Sequence, residues 1–180
     1  MQCPVCQKNV LKNQELDKGL MAKHCPQCEG SWLSSFQYWR WLEKHAERLP
    51  EKDVDEGLMV PVEESTAGKL CPECGCFLIG HKVGHGIVFQ LDHCATCGGI
   101  WFDKNEWEIL RSRNLHDELH LVFSAAWQNA RKKQEQKETY EKRIQSILGE
   151  PDYQHVVEFH SWLKNHPHKS SIMSYLKEVW

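Results

Sequence analysis

Four Cys-x-x-Cys pairs carry the clearest chemistry in this sequence: Cys3 with Cys6, Cys25 with Cys28, Cys71 with Cys74, and Cys94 with Cys97. A knuckle of this spacing turns the backbone so that both sulfurs face one point. Two knuckles held by a hairpin can place four thiolates tetrahedrally at about 2.3 Å from a zinc ion. Eighteen residues separate the pairs in the first set and nineteen in the second, within the roughly 15 to 20 expected of a four-cysteine site. Cys3, Cys6, Cys25 and Cys28 are therefore expected to hold one structural Zn2+, and Cys71, Cys74, Cys94 and Cys97 a second. Iron or an iron-sulfur cluster is the alternative occupant. Disulfides fit less well, because Met1-Gln2-Cys3 leaves no room for a leader with a basic segment and an apolar run. Four protein ligands leave no open position for water or substrate, so no catalytic metal and no enzyme activity are expected.

Other side chains compete for chemical roles. His24 and His93 each precede a ligand cysteine, yet four thiolates already fill the sphere. Cys76 is the odd cysteine of nine, read as a free thiol on a strand, with ligand exchange or redox sensing as the alternative. His116 and His120 share the i, i+4 spacing of a metal-binding helix face, but no third ligand is identifiable, and a solvated face is the simpler reading. Arg131, Lys132 and Lys133 could meet phosphates, although Glu135, Glu138 and Glu141 alternate with the basic residues and favour a salt-bridged exposed helix. Eight tryptophans are many for 180 residues. Trp39 and Trp41 lie two positions apart on a helix and cannot face one neighbour together, so Phe36, Trp39 and Trp41 are the expected partner-binding residues. An intramolecular cover, from the stripe of Leu119, Val122, Phe123 and Ala126, competes with that reading.

An internal repeat positions the cysteines. Cys3-Pro4-Val5-Cys6 recurs as Cys71-Pro72-Glu73-Cys74, and Cys25 to Leu33 recurs as Cys94 to Phe102. Between the knuckles, Phe77 to Ile79 and Ile87 to Leu91 flank Gly84-His85-Gly86 as an expected hairpin, with Asp17-Lys18-Gly19 at the corresponding turn of the first copy. A helix follows each second knuckle. Asp103 with Glu106, and Ser34 with Gln37, read as capping boxes; Phe102 with Trp107, and Leu33 with Tyr38, read as hydrophobic staples. The expected fold class is small α+β, two zinc ribbons each followed by a helix, with an all-α C-terminal region. Expected boundaries are residues 1–49 for the first ribbon and helix, 50–68 for a mobile acidic linker, 69–113 for the second ribbon and helix, and 114–180 for the helices, which run from a stripe at Leu115 to Ala130 through breaks at Gly149-Glu150-Pro151 and Asn165-His166-Pro167. The linker is expected to make the two metal sites independent.

The repeats resemble the transcription factor IIB-type zinc ribbon, whose pattern runs Cys-Pro-x-Cys, a hairpin, then Cys-Pro-x-Cys-x-Gly-x-Trp-Leu-Asp-x-x-Glu-Leu. The second copy matches through its four cysteines, Gly99, Trp101, Asp103 and Glu106, departing at Ala95 and Trp107. The first matches through its cysteines, Gly30, Trp32 and Leu33, with Ser34 and Gln37 replacing the acidic pair. The resemblance implies the ribbon fold and zinc, and says little about activity.

Formal net charge is −3. Each metallated site adds −2, bringing the holo chain to about −7 and removing any global attraction to polyanions. No apolar run approaches the roughly 20 residues of a membrane span, and a cytoplasmic location is expected. These observations lead to a zinc-binding interaction protein, an adaptor, regulator or assembly factor with a protein partner. A nucleic-acid-binding, transcription-associated ribbon protein is the alternative, and a metal-dependent enzyme or redox thiol protein comes third.

Overall fold

The computed structural model describes residues 1–45, 67–84 and 86–178. Gly19 takes a positive φ of 76° at the turn between β1 (Lys12–Asp17) and β2 (Leu20–His24), where a side chain would be strained. Glu15 accepts the Gly19 N–H and Asp17 the Lys18 N–H, closing the turn with local side chains. The second hairpin pairs β4 (Ile79–Gly84) with β5 (Ile87–His93), and positive φ at Gly84 and Gly86 provides the reversal. The expected turn residue His85 lies outside the described residues. Phe77, expected in the strand, forms only an isolated bridge with Leu70.

Each hairpin gains a short third strand, β3 (Ser31–Leu33) or β6 (Ile100–Phe102), and these two strands pair with each other. The result is one antiparallel sheet in the order β1-β2-β3-β6-β5-β4, with Trp32 directly opposite Trp101 at its centre. The repeats are thus not the separate modules that the long linker suggests: their third strands close each other's open edge, which would otherwise expose unpaired backbone groups. The linker itself falls largely on residues 50–66, outside the described residues.

Side-chain alternation divides the sheet. Leu33, Ile100 and Phe102 face a core completed by Tyr38 and Trp41 of α1 (Ser35–His45), Trp107 and Leu110 of α2 (Glu106–Ser112), and Leu119 and Val122 of α3 (Leu119–Val122). Trp32 and Trp101 point the other way, among the cysteines. Ser34 caps α1, accepting the Gln37 N–H at 3.4 Å. In the second copy only the reverse half of the box forms: Glu106 accepts the Asp103 N–H at 3.0 Å, while α2 starts at Glu106 after Asn105 in a left-handed conformation. The Asp103 carboxylate is engaged elsewhere. Phe102 and Trp107 meet edge to face at 5.4 Å, as a staple requires.

The stripe from Leu115 is interrupted. Ser124 accepts the Trp127 N–H through its hydroxyl and the Gln128 N–H through its carbonyl, ending α3 and starting α4 (Ala125–Leu148). Gly149 at φ 77° separates α4 from α5 (Glu150–Lys164), and α6 (Lys169–Glu178) follows. Two compact units result, Met1–Arg131 and Lys132–Trp180. The first takes in both repeats together with α3 and the start of α4, and the second is helical.

Candidate metal centres and the surfaces beside them

Each knuckle is closed by backbone hydrogen bonds that aim its sulfurs. Gln7 N–H donates to the Cys3 carbonyl and Glu29 N–H to that of Cys25; Gly75 and Gly98 repeat the arrangement on Cys71 and Cys94. All four closing residues have positive φ. The second copy uses glycine at these positions, whereas the first holds Gln7 and Glu29 there, at a cost of about 1 kcal/mol each.

The sulfurs converge. Cys3 and Cys28 lie 3.6 Å apart and Cys6 and Cys25 3.9 Å; Cys71 and Cys97 lie 3.5 Å apart and Cys74 and Cys94 3.4 Å. Within each set of four, all sulfurs are within 4.8 Å of one another. Tetrahedral thiolates at about 2.3 Å from zinc would stand about 3.8 Å apart, so both sets fit the ion. One cysteine of each set, Cys25 and Cys94, is biased toward the anionic form, whereas burial raises the Cys3, Cys28 and Cys97 thiols. Burial alone would raise the Cys94 thiol, but the Cys97 and Thr96 N–H groups and the neighbouring sulfurs outweigh it and bring the pKa to about 7. Cys25 is lowered against the same burial by the N–H groups of Cys28 and Gln27. The protein thus has two structural zinc sites, held by Cys3, Cys6, Cys25 and Cys28 and by Cys71, Cys74, Cys94 and Cys97. A closed four-thiolate shell supplies folding free energy to a chain of small modules.

Between the two sites stand Trp32 and Trp101. Trp101 covers Gly30, the knuckle glycine of the first copy, and Trp32 covers Gly99 of the second; a Cβ on either glycine would meet the indole of the other repeat. Cys3, Cys25, Cys71, Cys94 and both tryptophans belong to one apolar cluster, so the two centres share a wall.

Sequence reasoning missed the buried ionic network beside the second centre. Lys69 donates to Asp92 and, at 2.7 Å, to Asp103, whose other carboxylate oxygen accepts the Trp101 indole N–H at 2.7 Å. Burial works against the Lys69 ammonium, but the Asp103 and Asp92 carboxylates prevail and raise its pKa. Burial, then the Asp103 charge, pushes the Glu106 carboxyl well above the usual range. Aligning the repeats offers the signal that could have found this group: Lys69, Asp92, Asp103 and Glu106 stand where the first copy has Met1, Lys23, Ser34 and Gln37. The whole set is exchanged together. In the first copy the Trp32 indole N–H is left without a partner among the described residues.

The expected partner-binding residues divide. Phe36 is 72% exposed and Trp39 47%, but Trp41 is only 3% exposed and is corrected to a core residue. Its indole donates to the Lys18 carbonyl at 3.1 Å and its ring meets Trp107 edge-on at 6.1 Å. The intramolecular cover accounts for it, since Leu119 and Val122 close the same core and the Leu119 N–H donates to the Tyr38 hydroxyl at 3.0 Å. The solvated His116–His120 face also needs correction. His116 precedes α3 and is buried between the rings of Trp41 and Trp107, each 5.9 Å away, while exposed His120 lies on Trp39. His24 bonds Ser31 at 3.2 Å and His93 stacks on Phe123 at 4.2 Å; neither belongs to a metal cluster among the described residues. Cys76 is exposed and lies before β4 rather than on it. Of the basic trio, Arg131 lays its side chain over Gly84, while Lys132 and Lys133 are exposed on α4.

A groove of about 250 Å³ opens beside Trp39, walled by Tyr38, His93, Ile100, His120 and Phe123. No helix among the described residues is long and apolar enough to cross a membrane.

Residues 2–44 match the family described as transcription factor zinc-finger, the transcription factor IIB-type zinc ribbon. The match spans the first cysteine cluster and nearly all of α1, so the chain contains a zinc-binding ribbon. Comparison with curated proteins and with solved structures gives no match.

Proposed function

We propose that two tandem zinc ribbons, the second formed by residues 69–113, are fused through β3 and β6 into one platform that binds a protein partner, with no catalytic step of its own. The observation that carries this reading is the groove at Trp39. Its walls combine Tyr38, Ile100 and Phe123 with His93, His120, Ser35 and Ser124, it is built from both repeats and the α3 segment, and a half-exposed tryptophan stands at its rim with exposed Phe36 one turn away. Aromatic anchors seated in such grooves dominate the energetics of protein interfaces. The zinc ions hold the platform rigid, and rigid display lowers the ordering cost of binding. Adaptor, regulator and assembly factor all fit this role.

The test is crosslinking capture from the native cell with the natural chain and with Trp39→Ala. The reading expects Trp39→Ala to lose the captured partner at unchanged zinc content and thermal stability. Unchanged capture by Trp39→Ala and Phe36→Ala would overturn it. Nuclease treatment in parallel distinguishes a protein partner from one recruited through nucleic acid.

A further inference from the structure

Gln2 and Leu70 stand at equivalent places in the two repeats, one residue before the first cysteine of each set. Each forms a single antiparallel bridge, Gln2 with Val10 and Leu70 with Phe77. The bonds around each bridge run between the flanking residues: Cys3 N–H donates to the Asn9 carbonyl and Leu11 N–H to that of Met1, while Cys71 N–H donates to the Cys76 carbonyl and Leu78 N–H to that of Lys69. In such a pair the two central residues turn their own N–H and C=O outward. Those of Gln2 and Leu70 therefore point away from Val10 and Phe77, and they have no hydrogen-bond partner among the described residues. A cleft of about 490 Å³ lies between the two segments, lined by Gln2, Cys3 and Pro4 of the first repeat and Leu70, Cys71 and Pro72 of the second. Gly75, with open space around its α-carbon, leaves the second bank clear. Unpaired N–H and C=O groups along an exposed edge are a template for another strand.

We propose that this cleft takes an extended, basic peptide segment of a partner protein, hydrogen-bonded through its backbone to Gln2 and Leu70. The open edges select the extended form, because an added strand supplies the donors and acceptors that both banks lack. Charge selects the basic character. With zinc bound, each four-thiolate centre carries about −2, and Cys3 and Cys71, one ligand from each centre, line the cleft. Glu73 beside Pro72 adds to this charge, and Lys8 beside Gln7 offsets part of it. The Lys69 ammonium is turned inward, onto Asp92 and Asp103. The cleft is therefore negative, which disfavours both nucleic acid and the chain's own acidic residues 51–64 as occupants. This site shares no wall with the groove at Trp39, and the two readings hold or fail independently.

Nuclear magnetic resonance of the isotope-labelled, zinc-loaded, full-length chain tests this with the blocked probe peptide acetyl-Lys-Val-Lys-Val-Lys-amide. The Gln2 and Leu70 amide protons should move downfield and saturate as the probe is added. The same peptide N-methylated at both valines keeps the charge and blocks the backbone edge; acetyl-Glu-Val-Glu-Val-Glu-amide keeps the edge and reverses the charge. Each should bind at least about tenfold more weakly. Gln2→Lys and Gln7→Lys, at exposed positions, should each weaken the basic probe by about threefold or more with two zinc ions still bound. No shift at Gln2 and Leu70 with the probe at up to about 10 mM would overturn the proposal. So would equal binding of the N-methylated or acidic peptide, or binding indifferent to both lysine variants. Shifts at these amides that grow with protein concentration alone would place a second copy in the cleft, and slow hydrogen exchange at Gln2 and Leu70 in the free chain would mean that the chain fills it itself; either result overturns the proposal as well.

Discussion

The indole of Trp101 lies over the α-carbon of Gly30, so that a Cβ built there would stand 2.9 Å from Cε2 of the ring and 3.0 Å from the Phe102 carbonyl oxygen. Trp32 covers Gly99 in the same way. Each knuckle therefore has its roof in the other repeat, and the glycines are needed for close approach rather than for a turn.

Gly30→Ala and Gly99→Ala should each destabilise the zinc-loaded chain by about 2 kcal/mol or more, since neither the ring nor the knuckle backbone can withdraw. Gly68→Ala, with open space around it, is the control and should be neutral. Chemical denaturation of the three variants checks the contrast.

Trp41 and Trp39 should behave oppositely despite lying two positions apart. Trp41→Ala empties a buried site, breaks the bond to Lys18 and should cost about 3 to 5 kcal/mol. Trp39→Ala should cost less than about 1 kcal/mol. Thermal melts at fixed zinc concentration measure both.

Glu106 should make stability depend on pH. Its carboxyl is raised in the folded state, so the contribution of its bound proton is complete below the unfolded carboxyl value and is lost as pH rises through the folded one. Glu106→Gln removes that titration, and the first copy already uses Gln37 at this position. Relative to the natural chain, the variant should gain up to about 1.4 kcal/mol per pH unit until the folded pKa is passed. Denaturation between about pH 6 and 9, where the thiolates retain zinc, reads this out. A difference that shrinks with rising pH would contradict it.

Much of the metal chemistry was legible because it is local. The cysteine spacing, the Gly19 turn and the Ser34 cap each depend on residues within one short segment. The joining of the repeats was not legible, because β3 and β6 are three residues long and their pairing is set by contacts across the chain, which no hydrophobic period announces. Asp103 shows the same limit. Its spacing from Glu106 satisfies a capping box, yet Lys69 and Trp101, brought close only by the sheet, claim its carboxylate. The stripe from Leu115 concealed the break at Ser124 because periodicity records the apolar positions and not the hydroxyl that restarts the helix.

Coupling of the two zinc sites follows from the shared wall of Trp32 and Trp101, and native mass spectrometry of the full-length Cys94→Ser chain tests it most directly. Loss of the second site should unseat Trp101 and β6, open the edge of β3 and uncover Gly30. The variant should fail to retain the first zinc as well, or release it to a chelator at least about tenfold faster than the natural chain, a coupling of about 1.4 kcal/mol or more. One zinc ion held at Cys3, Cys6, Cys25 and Cys28 with the release rate of the natural chain would contradict it, and would mean that the two repeats fold as independent modules.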